Sequence, residues 1–92
     1  MIRSFKDKDT RRFFEGTRVA RFQGFDRQAT RRLTILNSAN ALRDLAGLPG
    51  NRLKPLSGDR AGQHSIRINA QWRICFKWAD DGPFDVEIAD YH

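Results

Sequence analysis

The sequence closes on Asp90-Tyr91-His92, which sets a carboxylate, a phenol and an imidazole side by side. Histidine is the side chain best suited to moving protons near neutral pH, because its unperturbed pKa is about 6.5. A chain end normally frays and carries nothing essential, so the plain reading is a polar tail. Here, however, the strand-like run Phe84-Asp-Val-Glu-Ile-Ala-Asp90 leads directly into the trio. If that strand is tied into a sheet, the trio stands at the sheet's edge, open to a large substrate. Upstream, Arg67, Arg73 and Lys77 alternate with apolar residues, which places them together on one strand face. Cations on a polar sheet face beside a basic loop make a cradle for a chain of phosphates.

The elements that must hold these residues can be read from periodicity. Met1-Ile-Arg-Ser-Phe-Lys6 reads as a first strand, not as a signal peptide. Asp7 or Asp9 caps a short helix, Thr10 to Glu15, that Gly16 stops. Thr17 to Phe25 is irregular, with Phe22 and Phe25 as anchors. Asp26 caps a longer helix whose apolar positions Ala29, Leu33, Leu36, Ala39, Leu42 and Leu45 step by three or four. Arg27, Arg31, Arg32 and Arg43 fall mostly off that stripe and read as a solvated face. Gly47, Pro49 and Gly50 end the helix.

The remainder is strand-like. Gly62 to Asn69 alternates, with Ile66 and Ile68 on one side and Ser65, Arg67 and Asn69 on the other. Gln71 to Trp78 puts Trp72, Ile74, Phe76 and Trp78 inward, with Arg73, Cys75 and Lys77 opposite. Asp80-Asp81-Gly82-Pro83 is a hairpin turn, and Val86 and Ile88 mark the last strand. Helices grouped before hairpin-linked strands predict one α+β domain over residues 1–92, with helices on one face of a mainly antiparallel sheet. The other face is left at least partly open.

Composition narrows the partners. The 92 residues carry a formal net charge of +6, with thirteen arginines against four lysines. Arginine's planar fork suits bidentate phosphate contacts, so a small basic domain of this kind favours a polyanion, most simply nucleic acid, or an acidic protein. No apolar run approaches the roughly 20 residues of a membrane span. The single cysteine, Cys75, has no partner for an internal disulfide, which fits a reducing cytoplasm, and its apolar surroundings point to packing.

Larger motifs then come into view. Asn51-Arg-Leu-Lys-Pro-Leu-Ser-Gly-Asp-Arg60 is followed by Gly62-Gln-His-Ser-Ile-Arg-Ile68, Gln71-Trp-Arg-Ile-Cys-Phe76 and the terminal Asp90-Tyr-His92. With the opening Met1-Ile-Arg-Ser-Phe-Lys6, this order and spacing resembles the HigB (plasmid maintenance killer) toxins of the RelE superfamily. The resemblance implies a RelE-like fold, with two N-terminal helices on a small twisted sheet. It also implies the toxin of a type II toxin–antitoxin pair, a ribosome-dependent endoribonuclease that cuts messenger RNA in the A site without metal or cofactor. The partners it implies are a HigA-like helix-turn-helix antitoxin, the ribosome and mRNA, with operator DNA reached only through the antitoxin. Arg73 matches the family's phosphate-contacting arginine, and Asp90, Tyr91 and His92 match its C-terminal active-site residues. Lys54 stands where other members have a histidine, Ser57 where they have a lysine, and Gln71 where they have an asparagine.

The chemistry can be laid on these residues. His92 is the leading proton-transfer residue, Asp90 orients or charge-stabilises it, and Tyr91 hydrogen-bonds the phosphate or stacks on a base. Arg73 meets the developing charge, and Lys54 serves as a phosphate clamp, or as a base only if burial made it neutral. Ser57, Arg60, Arg67, Gln71 and Lys77 are candidate RNA contacts. Plainer roles stand beside these. Arg73 can pair with Asp90 or Glu87 across strands, Tyr91 can cover the sheet edge, and Asp59-Arg60 can stabilise a loop. His64 reads as structural, and no spacing among His64, Asp90 and His92 resembles a metal site. Two rival readings are a ParE-like gyrase-targeting toxin on the same fold and a non-catalytic module that binds RNA or antitoxin.

Overall fold

The computed structural model describes residues 1–90; Tyr91 and His92 lie outside the described residues. Three helices precede four strands: α1 (Lys8–Phe14), α2 (Asp26–Ser38), α3 (Leu42–Ala46), β1 (Lys54–Pro55), β2 (His64–Arg67), β3 (Trp72–Ala79) and β4 (Gly82–Asp90). The strands form one antiparallel sheet in the order β1-β2-β3-β4. This is the α+β arrangement expected from the element order.

Capping explains where α1 sits. Asp7 is extended, and its Oδ2 accepts from the Thr10 amide at 3.1 Å, satisfying one orphan donor of the first turn. Gly16, at φ +100°, lets the chain leave the helix in a left-handed conformation. Thr10 is fully buried, and its hydroxyl accepts from the Ile88 amide at 3.0 Å, tying α1 to β4. The irregular stretch after α1 contains a 3-10 turn, Ala20–Phe25, whose Phe22 and Phe25 are the anticipated anchors. Phe25 stacks on Trp72 with ring centroids 4.8 Å apart.

The long second helix is interrupted. A single helix to Leu45 was the expectation, but α2 stops at Ser38, Ala39 is extended, and α3 restarts at Leu42. Leu33, Leu36, Ala39, Leu42 and Leu45 step by three, so on one straight helix they drift roughly 60° per step. The break returns the later residues to the core, where Leu45 is fully buried. Asp44 Oδ2 holds the new start by accepting from the amides of Asn40 and Ala41 at 2.9 and 3.1 Å.

The core lies between the helices and one sheet face. Phe22, Leu33, Leu36, Leu45, Ile66, Ile74, Phe76, Val86 and Ile88 fill it. Each such side chain contributes about 1.5–3 kcal/mol when fully removed from water.

The opening segment, expected as a strand, makes only one parallel bridge, Phe5 to Val86. The cause is a bulge in β4. Pairing slips by one residue between Cys75 and Lys77, and Asp85 takes φ +52°. Ser4 fills the gap in the ladder with its side chain, its Oγ accepting from the Asp85 amide at 2.9 Å. At the hairpin, Gly82 (φ +128°) lies so close to the Met1 carbonyl that a Cβ would sit 2.6 Å from its oxygen.

Candidate active site

Strand pairing assembles the site's rows. Lys54 lies opposite Ser65, Ser65 opposite Cys75, and Cys75 opposite Glu87. Cross-strand partners share a face, so these four form one row on the side away from the helices. Arg67, Arg73 and Ala89 form the next row toward the β2–β3 turn. Lys77 lies on the same face beyond Cys75 and forms an ion pair with Asp85 at 3.7 Å. The sheet thus brings together Lys54, Arg67, Arg73 and Lys77.

Two bonds among the described residues hold Arg73. Its Nε donates to Ser65 Oγ at 2.7 Å, and its Nη2 donates to the Arg52 carbonyl at 2.7 Å. These use two of the five donors of the fork and fix the plane of the guanidinium. Ser65 is fully buried. Arg52 follows the 3-10 turn Pro49–Asn51 and is left-handed, at φ 44° and ψ 52°. Arg67 stands directly opposite Arg73, a like-charge pair that repels. Its Nε donates to the Asn69 carbonyl at 3.1 Å.

This face is not bare. Leu56, Cys75 and Ala89 form a small second apolar cluster that floors it. Burial pushes the Cys75 thiol above its ordinary pKa, so the group stays neutral and packs, as its surroundings suggested. Arg60 reaches over this floor, donating from Nη1 to Gln63 Oε1 at 3.1 Å and to Glu87 Oε1 at 3.0 Å. Lys6 lies 3.8 Å from the same Glu87 oxygen. Lys54 is exposed at the edge strand of this face.

Other candidates lie elsewhere. Asp90 pairs with Trp72, one step out of phase with Arg73, so strand alternation gives it the opposite parity. Its Oδ2 accepts from Gln71 Nε2 at 3.0 Å, placing both at the end of the sheet. Ser57 is exposed ahead of the 3-10 turn Gly58–Arg60, where its carbonyl accepts from the Arg60 amide at 3.2 Å. His64 is half-buried on the core side, its ring 6.3 Å from Phe76. Tyr91 and His92 lie outside the described residues, so their expected roles stand on the sequence.

Sequence reasoning missed Ser65 and the Arg52 carbonyl as the supports of Arg73. It also missed Arg32, whose Nη1 donates to Asn51 Oδ1 at 2.6 Å. Partial burial, then the charges of Arg31 and Arg67, hold the Arg32 guanidinium below its ordinary pKa. The Arg67–Arg73 opposition follows from register alone and was in principle legible.

Comparison with known proteins places this geometry. A model of the RelE-like toxin of the type II toxin–antitoxin system HigB matches residues 3–92. The chain belongs to this family. Among curated HigB relatives, Toxin HigB-1 of Vibrio cholerae serotype O1 is 39% identical over 82 residues, covering 87% of this chain and 86% of its own. Endoribonuclease HigB of Proteus vulgaris is 35% identical over 94 residues and covers both chains fully. Among solved structures, the YoeB–YefM complex from Staphylococcus aureus contains a chain with the same fold, at a TM-score of 0.64 and 17% identity, over 100% of this chain and 98% of that one. A HigB toxin acts with an antitoxin, so this family member has an antitoxin partner.

Proposed function

We propose that this chain is an endoribonuclease that cuts messenger RNA in the ribosomal A site and so stops translation. A HigA-like helix-turn-helix antitoxin holds it in check and alone connects it to operator DNA. Its place of action is the cytoplasm, and no helix among the described residues is long and apolar enough to cross a membrane. The observation that carries the reading is the pinned Arg73 on a cation-lined sheet face, in a chain aligned end to end with a relative named Endoribonuclease HigB.

RNA cleavage of this type needs no metal. The 2′-hydroxyl attacks the adjacent phosphorus, the 5′-oxygen leaves, and protons move at both oxygens. Arg73, already oriented by Ser65 and Arg52, meets the charge that builds on the phosphate. His92 moves a proton, Asp90 supports it from the sheet end, and Tyr91 engages the phosphate or a base. Lys54 clamps a phosphate, while Arg60, Arg67, Lys77, Gln71 and Ser57 line the path of the strand. The site is shallow, so a message already bent in the A site supplies part of the in-line geometry.

The test is primer extension on purified components. Messages in translating ribosomes are cut and the same RNA free in solution is barely touched; equal cutting of both overturns the ribosome dependence. Removing His92 relieves growth arrest and leaves antitoxin capture intact. DNA-damage signalling on induction, without cleaved message, would instead point to the gyrase-targeting reading.

A further inference from the structure

One polar contact on the helical side has no place in the reading above, and it leads back to the site. Arg32 projects from α2, and its Nη1 donates to Asn51 Oδ1 at 2.6 Å. Asn51 is fully buried, and its Nδ2 donates in turn to the Leu45 carbonyl at 3.1 Å. A buried asparagine satisfied at both ends of its amide is a rigid point in a loop. The next residue is Arg52, turned left-handed, whose carbonyl receives Arg73 Nη2 at 2.7 Å. Gly50 completes the seat: a Cβ there would lie 2.9 Å from Arg32 Nη2. The contacts thus run from helix α2, through the 3-10 turn, to the guanidinium on β3.

We propose that Arg32 and Asn51 are positioning residues that hold the Arg52 carbonyl in place and thereby aim Arg73 at the scissile phosphate. The inference rests on the catalytic reading of Arg73 given above. An exposed left-handed arginine is costly backbone, since non-glycine residues avoid that region. Asn51, anchored on one side to Leu45 and on the other to Arg32, supplies the local restraint that keeps it there. Without Arg32 the Asn51 side-chain Oδ1 loses a charge-assisted bond, and the turn gains freedom. Arg73 then keeps its Ser65 contact but loses the Arg52 contact that helps to fix its plane.

Two readouts test this on the full-length protein. The first is the Arg73 guanidinium Nη2–H resonance in the free protein, the group that donates to the Arg52 carbonyl, followed by NMR. Arg32→Ala and the milder Gly50→Ala, which crowds Arg32 from its seat, shift that resonance and speed its exchange with solvent. An Arg73 signal unchanged in both variants overturns the brace, whatever the activity. The second is single-turnover cleavage on programmed ribosomes. Arg32→Ala slows cleavage about tenfold with half-saturation moved less than twofold, and the loss disappears in an Arg73→Ala background, as coupled residues require. Arg31→Ala, which removes the same charge one residue away, slows it less. A loss that persists undiminished without Arg73 shows Arg32 acting on RNA directly and overturns the proposal. If Arg73→Ala cuts at the parent rate, the catalytic assignment of Arg73 fails, and the aim proposed for the brace fails with it, while the resonance still reports whether Arg32 orders the side chain.

Discussion

The two faces of the sheet are made from the same strands and do opposite work. Toward the helices, Ile66, Ile74, Phe76, Val86 and Ile88 are essentially without solvent contact. Away from them, the alternate residues Lys54, Arg67, Arg73 and Lys77 surround only a small apolar floor of Leu56, Cys75 and Ala89. A buried face tolerates no unpaired charge. A face with two guanidiniums opposed across neighbouring strands carries a like-charge pairing that the fold itself does not need. The contrast separates residues that make the fold from residues that use it, with Ser65 and Thr10 as exceptions, being buried polar groups that each hold a specific partner.

Substitutions on the two faces should therefore divide between melting temperature and activity. Phe76→Ala opens the core and costs about 3–5 kcal/mol. In a domain of this size each kcal/mol lowers the melting point by about 4–8 °C, so calorimetry should find the variant largely unfolded at 37 °C. Arg73→Ala should leave melting within a few degrees of the parent, while ribosome-dependent cleavage falls about 10²–10³-fold. A large loss of stability in that variant would erase the distinction. Thr10→Val keeps the shape but leaves the Ile88 amide without its acceptor, costing about 1–3 kcal/mol; denaturant titration measures it, and a neutral result would mean water replaces the hydroxyl. Lys54→Ala should slow cleavage only about fivefold, roughly 1 kcal/mol, with unchanged melting. The smallest effect is at Cys75. Its folded pKa is raised, so the unfolded chain loses the thiol proton first as pH climbs. The stability this group contributes is whole below the ordinary thiol pKa and is lost as pH rises from there through the raised folded value. Melting of Cys75→Ala between neutral and alkaline pH should therefore fall less steeply than melting of the parent.

Much of the architecture was legible because periodicity is a local property. The cap at Asp7, the anchors Phe22 and Phe25, the alternation of Trp72 to Trp78 and the turn at Gly82-Pro83 all follow from neighbours in sequence. The break after Ser38 was not read, because leucines three apart look continuous until their drift around the axis is followed. The opening segment has the composition of a strand, but whether it pairs depends on a bulge some eighty residues later. The arginine face was legible from alternation. The supports of Arg73 were not, because a backbone carbonyl leaves no mark in the sequence and Ser65 looks like any polar strand residue.

Asp85 carries a consequence for the chain beyond it. One extra residue at that point resets the in-and-out alternation of everything downstream. Deleting Asp85 while the hairpin stayed in place would send Val86 and Ile88 to the wet side and draw Glu87 and Ala89 into the oily one. A single left-handed aspartate thus decides which flank of the sheet Val86, Glu87, Ile88 and Ala89 inherit.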